Sequence, residues 1–176
     1  FTLGVLLIVL GFSMLVPITI QLIYSEFNST FIISSIITIT FGVLFFLANM
    51  DHNRSLSTQQ AFLLTALSWI GVAIFGSIPF IFSDLNLSLT DAFFESMSGI
   101  TTTGATIINN LSDTPKAILG WRAILQWLGG IGIIVMAITL MPIMNIGGMQ
   151  LLKISSGDSS EKILPKSKQI SVRLVL

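Results

Sequence analysis

The sequence predicts an all-α integral membrane protein in which a short helix and a polar loop re-enter the membrane between two spans. Hydrophobic residues make up 53% of the 176 residues and charged residues only 9%, against about 25% charged residues in ordinary soluble domains. Long uncharged stretches recur along the chain, and its mean hydropathy is +0.93. Between two of these stretches, residues 91–106 read DAFFESMSGITTTGAT, a half-length helix pattern followed by small hydroxyl residues around a glycine.

The composition excludes several classes of protein. The formal net charge is +0 and no basic cluster is present, which argues against a nucleic-acid partner. The chain has no cysteine, so disulfides and thiolate metal sites are excluded. It begins with Phe1 inside an apolar run, and residues 172–176 resemble the start of another. We therefore expect this chain to be a piece of a longer protein.

Each predicted span is an apolar stretch of about 20 residues or more, the length that crosses a bilayer core of about 30 Å. Pro17 predicts a kink in the first span, which neighbouring groups must compensate. Trp121, Arg122 and Trp127 place the start of the last span at the membrane interface. The predicted spans are residues 1–24, 31–50, 61–82 and 117–144.

The distribution of lysine and arginine predicts the orientation. A re-entrant stretch returns to the side it left, so the loop after the second span and the tail after the fourth share a side. Since cytoplasmic loops carry the excess of basic residues, we expect a cytoplasmic N-terminus and a re-entrant loop that enters from outside. The shared side holds Arg54, Lys153, Lys162, Lys166 and Lys168, and the opposite side holds Lys116 and Arg122.

The re-entrant stretch should begin with a helix near Leu89 or Thr90, because Ser88 and Asp91 have capping-box spacing. Gly99 should end this helix after roughly two and a half turns, too short to cross the bilayer core. We expect the helix to direct its partial negative charge and its orphan carbonyls toward the bilayer centre, where they favour a cation.

After the helix, residues 100–106 read ITTTGAT. A cation that leaves water needs oxygens to replace its hydration shell, and stacked backbone carbonyls supply them. Gly104 permits backbone angles that aim its neighbours' carbonyls toward the ion. These residues are typical of a selectivity-filter loop, with an ordinary polar turn outside the membrane as the alternative.

Glu95 and Asp91 have two interpretations each. An ionisable group within a membrane protein is a functional candidate, but Glu95 also suits a structural role, hydrogen-bonded to amides of the loop or paired with Arg122. We favour that structural role. Asp91 fits a first-turn residue that complements the helix dipole better than an ion ligand. His52 is a lone loop histidine and is expected at the surface.

DAFFESMSGITTTGAT, WRAILQWLGGIGIIVMAITLMP and NIGGMQLLK together resemble the first pore repeat of bacterial TrkH-type potassium-uptake proteins, members of the Trk/Ktr/HKT superfamily. The resemblance covers essentially the whole chain. It implies two N-terminal transmembrane helices in residues 1–56 and an outer-helix, pore-loop and inner-helix repeat in residues 57–144. Residues 145–176 would form a cytoplasmic linker and the start of the next repeat.

The resemblance also implies the site. Filter carbonyls in this family come from the residues that lead into the glycine, which here are Thr101, Thr102, Thr103 and Gly104. Thr102 and Thr103 are the first choices for potassium contacts. Glycine rather than serine at position 104 implies selectivity for potassium over sodium. Potassium is then the transported ion, and no cofactor is expected.

The family resemblance further implies a pore built from four repeats of one polypeptide, a homodimer, and a cytosolic nucleotide-binding TrkA-type regulatory subunit. The location would be the bacterial cytoplasmic (inner) membrane, and the transport either ion-coupled or channel-like. Two other interpretations stand beside this one. One is a polytopic membrane enzyme that uses Glu95, Asp91 and His52 in acid–base chemistry, which we disfavour. The other is a non-conducting scaffold or assembly fragment.

Overall fold

A computed structural model describes residues 1–26, 28–49 and 57–140, and every regular element in that part of the chain is a helix. Four segments are long and apolar enough to cross a membrane: Thr2–Ile23, Thr30–Leu47, Gln59–Ile81 and Lys116–Ile138. They confirm the all-α membrane class and the predicted spans. The helices are α1 (Thr2–Ser13), α2 (Leu15–Ile23), α3 (Thr30–Leu47), α4 (Thr58–Gly76), α5 (Ile78–Ile81), α6 (Leu89–Ile100) and α7 (Lys116–Leu140).

Prolines explain why two of the spans are interrupted. The first span changes helix at Met14, three residues before Pro17, and the third changes at Ser77, two residues before Pro79. A proline inside a helix removes one backbone hydrogen bond, and its ring clashes with the carbonyl four residues earlier. The break therefore falls in the turn that precedes each proline, as the kink predicted from Pro17 required.

Side-chain donors from other helices reach carbonyls at these breaks. The Trp121 indole Nε1 donates to the Gly76 carbonyl at 3.0 Å. The Ser35 hydroxyl donates at 2.9 Å to the Gly11 carbonyl, which also accepts from the Met14 N–H at 3.3 Å. Side-chain donors matter here because no water replaces a missing backbone bond within a bilayer core. Trp121 is fully buried in the protein, so its indole serves the Gly76 carbonyl; its expected depth at the membrane interface stays a prediction.

Glycines bring the first and second spans into close contact. A Cβ at Gly4 would lie 2.5 Å from the backbone nitrogen of Phe46, and one at Gly42 would lie 2.9 Å from the backbone nitrogen of Ile8. Small residues let helix backbones approach closely in membranes, where van der Waals packing drives association. These contacts hold α1 against α3.

The core of the first compact unit, residues 1–129, lies where this helix pair meets α5 and α7. Phe31 packs edge-on against Trp121 with ring centroids 6.2 Å apart, and Phe80 and Leu125 are also fully buried. Apolar side chains on the other faces of the helices are exposed, as expected for surfaces that meet lipid. The core thus anchors α7 beside α4 and α5.

A second compact unit begins at Gly130, and the structure describes its residues 130–140, the last part of α7. The predicted cytoplasmic linker, residues 145–176, lies outside the described residues. So do His52, the last residues of the fourth predicted span, and the basic residues Arg54, Lys153, Lys162, Lys166 and Lys168. The boundaries of the three predicted domains, residues 1–56, 57–144 and 145–176, therefore stay predictions.

Trp121→Phe should destabilise the protein, because it leaves the Gly76 carbonyl without its donor while keeping most of the aromatic packing. We expect a loss of about 1–3 kcal/mol, the cost of an unsatisfied buried polar group. Trp127→Phe is the control, since that side chain is 54% exposed. Thermal unfolding of the full natural chain in detergent measures both. Equal melting temperatures for the two variants would contradict the assigned role of the indole.

Candidate functional site

Helix α6 begins as predicted and is short. The Ser88 hydroxyl accepts from the Asp91 backbone N–H at 3.1 Å, and the Asp91 carboxylate accepts from the Ser88 N–H at 3.3 Å. This capping box starts the helix at Leu89, and the helix ends at Ile100, one residue beyond the predicted Gly99. Its 12 residues extend about 18 Å. That is well short of a bilayer core.

The chain leaves α6 through a tight turn that uses the last helix carbonyls. The N–H groups of Thr102 and Thr103 donate to the carbonyls of Gly99 and Ser98 at 2.9 and 3.0 Å, and Thr101 donates to Met97 at 2.9 Å. We expected these carbonyls to be orphans that face a cation, and that expectation is wrong. Loop amides satisfy them, so the helix end contributes its dipole but not these oxygens.

Two residues of the turn have left-handed backbone angles: φ is +60° at Thr102 and +76° at Gly104. A glycine adopts such an angle without steric cost, which explains the residue type at position 104. A threonine there is strained, and strain of this kind persists only where surrounding contacts hold it. The Thr101 hydroxyl supplies such contacts, since it donates to the Met97 carbonyl at 2.8 Å and lies 2.9 Å from the Thr103 hydroxyl.

The loop then runs back along α6. The Ser98 hydroxyl donates to the Ala105 carbonyl at 2.6 Å. One turn earlier on the helix, Glu95 Oε1 accepts from the Thr106 hydroxyl at 2.5 Å and from the Ile107 N–H at 2.7 Å. As the loop advances from Ala105 to Ile107, its partners step back along α6 from Ser98 to Glu95. The loop and the helix therefore run antiparallel.

Glu95 joins this loop to the following span. Its second oxygen, Oε2, accepts from Arg122 Nε at 2.8 Å, and Arg122 Nη2 donates to the Ala105 carbonyl at 3.4 Å. The Glu95 side chain is fully buried and that of Arg122 is 12% exposed. A buried charge is tolerated when it is paired and its remaining lone pairs are satisfied. Both structural roles considered for Glu95, amide acceptor and partner of Arg122, are present together.

The carbonyl groups of residues 101–104 are free of hydrogen bonds within residues 1–26, 28–49 and 57–140. By contrast, the Ala105 carbonyl accepts from both Ser98 and Arg122. Residues 102–106 are exposed and Thr101 is half-buried. The loop therefore presents a run of free backbone oxygens on an exposed edge, where a cation can use them as ligands.

The sequence-predicted site residues fall into two groups. Thr101, Thr102, Thr103 and Gly104 form the exposed turn, while Glu95 and Arg122 form the buried pair behind it. Asp91 is separate from both, since its carboxylate caps the start of α6. Of the acid–base set of the enzyme interpretation, Glu95 is paired with Arg122 and Asp91 caps α6, and His52 lies outside the described residues.

Sequence reasoning missed one hydroxyl and one helix face. The Ser98 hydroxyl donates across the turn to the Ala105 carbonyl, and a serine among small residues is too common a pattern to indicate this. The face of α7 behind the loop includes Gly129, where an added Cβ would collide with the Ile100 carbonyl.

Four apolar spans, with a half-length helix and a hydrogen-bonded return loop between the last two, define a polytopic helical membrane protein. The sequence profile of the TrkH family, described as a cation transport protein, matches residues 15–176. The chain belongs to the TrkH family. This confirms the resemblance seen in the sequence, and it places the chain in a family of transporters rather than enzymes.

Individual relatives agree with this assignment. The Trk system potassium uptake protein TrkI of Halomonas elongata is 40% identical over 170 residues, which cover 96% of this chain and 35% of the relative. TrkH of Escherichia coli is 41% identical over 156 residues, covering 85% of this chain and 32% of the relative. The crystal structure of the potassium transporter TrkH from Vibrio parahaemolyticus superposes with a TM-score of 0.80 at 35% identity, covering 98% of this chain and 35% of that one. The chain thus spans about a third of the length of these relatives.

Glu95→Gln should be strongly destabilising, because it leaves the Arg122 guanidinium buried without a counter-charge. Removing one partner of a buried ion pair costs about 3–5 kcal/mol. Asp84→Asn is the matched control, since this exposed carboxylate accepts one bond, from Asn28 at 3.3 Å. Thermal unfolding of the full natural chain in detergent is the measurement.

The double variant Glu95→Gln/Arg122→Gln tests the origin of that loss. Because it removes both charges, it should be more stable than Glu95→Gln alone. A double variant that is less stable than the single one would show that the pair is not what stabilises this region.

Gly129→Ala should also destabilise, because the new Cβ would collide with the backbone carbonyl of Ile100. Overpacking against a backbone that cannot move aside costs about 1–3 kcal/mol. Gly71→Ala is the control, since its Cβ would meet only the Cδ1 end of Leu3, at 2.9 Å, which can turn away. The gain in helix propensity, about 1 kcal/mol, is shared by both. A melting temperature for Gly129→Ala at or above that of Gly71→Ala would refute the contact.

Proposed function

We propose that this chain forms part of a potassium-uptake pathway across the bacterial cytoplasmic membrane, with the carbonyls of residues 101–104 lining its selectivity filter. The observation that carries the proposal is a run of largely exposed residues after a half-length helix, whose carbonyls have no hydrogen-bond partner in the part of the chain that the structure describes. The relatives named above are potassium uptake proteins, which supports potassium as the ion.

The transport chemistry in this proposal is exchange of ligands. Potassium sheds water as it enters the loop, and backbone oxygens replace the lost hydration shell. Thr102 and Thr103 are the preferred contacts, with Thr101 and Gly104 completing the run. The partial negative charge at the end of α6 favours a cation at this position. No covalent bond is made or broken, and no enzymatic step is involved.

The buried pair behind the loop supports the filter in this proposal. Arg122 holds the Ala105 carbonyl, and Glu95 holds Thr106 and Ile107. The loop segment that carries the ion ligands is therefore fixed just after Gly104, at residues 105–107. Selectivity by carbonyl ligands depends on the number and geometry of those ligands, so this fixation is a functional requirement. Asp91 contributes by fixing the start of the helix.

Contacts among the polar connections support the proposed topology. The Lys116 N–H donates to Glu26 at 3.1 Å, and the Asn28 amide donates to Asp84 at 3.3 Å. The connections after the first and third spans and before α7 therefore lie at one end of the helices. With a cytoplasmic N-terminus this end is extracellular, and the loop after α6 re-enters from outside.

The complete pore requires more than this chain. Since the chain covers about a third of its relatives' length, the proposal includes three further pore repeats in the same polypeptide. It also includes a homodimer and a cytosolic nucleotide-binding TrkA-type subunit, both from the family resemblance. A non-conducting scaffold is the alternative outcome of the test below.

Gly104→Ser should lower the preference for potassium over sodium. A residue with a Cβ at φ +76° adds strain of about 1–2 kcal/mol, and relief of that strain rotates the adjoining carbonyls. The measurement is rubidium uptake, with sodium as competitor, in potassium-starved cells. These cells express the full natural chain with its cytosolic subunit, and parent and variant are compared at equal membrane abundance.

Asp84→Asn provides a control for general damage, because this exposed carboxylate belongs neither to α6 nor to the loop and accepts one bond, from Asn28. It should leave ion preference unchanged. Equal ion preference in the parent and Gly104→Ser would contradict a filter at this loop. A parent that takes up no rubidium would favour the scaffold.

A further inference from the structure

One stripe of α7 faces the end of α6 and the loop. Arg122, Leu125, Gln126 and Gly129 recur at the spacing of a single helix face. Arg122 donates a hydrogen bond to Glu95. Leu125 packs against Gly99: a Cβ added to Gly99 would lie 3.0 Å from the Cβ of Leu125. Gly129 abuts the Ile100 carbonyl. Gln126 completes the stripe and had no role in the sequence interpretation.

Gln126 lies directly behind Gly104. Among the described residues, a Cβ built on Gly104 would have a single neighbour within 4 Å, the Gln126 amide nitrogen Nε2, at 3.4 Å. That separation is an ordinary van der Waals contact. A side chain at position 104 would therefore point toward α7. The space between the loop and α7 in that direction ends at Gln126.

This geometry separates two effects at position 104. A small side chain would touch Gln126 without overlap, so its main cost is the left-handed φ of +76°. Relief of that strain requires the backbone to move. Movement toward α7 would be opposed by the Gln126 side chain, which is half-buried.

We infer that Gln126 is a positioning residue that sets ion preference, because its side chain fills the space behind Gly104 and keeps the loop backbone from retreating toward α7. The inference rests on the proposed filter function of residues 101–104. In this inference, ion selectivity depends on one side chain of α7 in addition to the loop residues and the buried Glu95–Arg122 pair.

Truncation of this side chain is the first test. Gln126→Ala in the full natural chain, with its cytosolic subunit, should lower the discrimination between rubidium and sodium several-fold at equal membrane abundance. Gln126→Met, which keeps a side chain of similar length, should retain the discrimination of the parent. Trp127→Ala is the control on the same helix turn, since that side chain is 54% exposed. It should change discrimination little.

Three results would overturn the inference. The first is an unchanged ion preference in Gln126→Ala. The second is an equal loss in Trp127→Ala, which would indicate a general effect of truncation on α7. The third is an equal loss in Gln126→Met, which would place the effect in the amide N–H groups rather than in filled space.

A double variant distinguishes this inference from the filter proposal itself. Residues in contact give non-additive effects, so Gly104→Ser/Gln126→Ala should depart from the product of the single effects by at least about twofold. Gly104→Ser/Trp127→Ala should follow the product. If Gly104→Ser alone alters ion preference but both double variants are multiplicative, the filter proposal stands and the role of Gln126 is wrong. If Gly104→Ser has no effect, the filter proposal itself fails.

Discussion

The loop after α6 depends on one buried carboxylate. Glu95 receives three donors, from Arg122, Thr106 and Ile107, and so joins the short helix, the return loop and the next span. Removal of a carboxylate from water is unfavourable unless each of its oxygens is satisfied. The same requirement makes the arrangement cooperative, because loss of any donor leaves the others around an incompletely satisfied charge. The shape of the loop is therefore coupled to the position of α7.

Helix α7 performs two structural tasks with neighbouring residues. Trp121 completes the hydrogen bonding of the broken third span, and Arg122, one residue later, holds the carboxylate and the loop. Gly129, two turns further along, admits the Ile100 carbonyl. A rotation or shift of α7 would disturb the third span and the loop together. The helix break caused by Pro79 and the candidate ion site are thus parts of one packing arrangement.

Local rules predicted much of this structure. Span positions followed from uncharged stretches of sufficient length, the start of α6 from the Ser88–Asp91 capping box, and the unusual backbone at position 104 from its glycine. The wrong expectation concerned groups whose partners depend on the shape of the turn. The carbonyls of Met97, Ser98 and Gly99 at the end of α6 were expected to be orphans, yet backbone amides of the following residues satisfy them. The sequence also did not indicate that the Trp121 indole would donate to Gly76, a carbonyl at the break that precedes Pro79.

The sequence by itself determined the membrane class, the number of described spans, the short helix and the residue types of the loop. These depend on hydropathy and on interactions within a few residues, both of which are readable from the order of amino acids. Only the tertiary structure decided which side chain lies behind Gly104, which donors surround Glu95, and which carbonyls stay free. Those outcomes depend on contacts between residues far apart in the chain, such as Gly104 with Gln126. The sequence offered Arg122 and the loop amides as alternatives for Glu95, and the structure shows both together. No local pattern specifies them, because many partners satisfy a buried charge equally well until packing selects one.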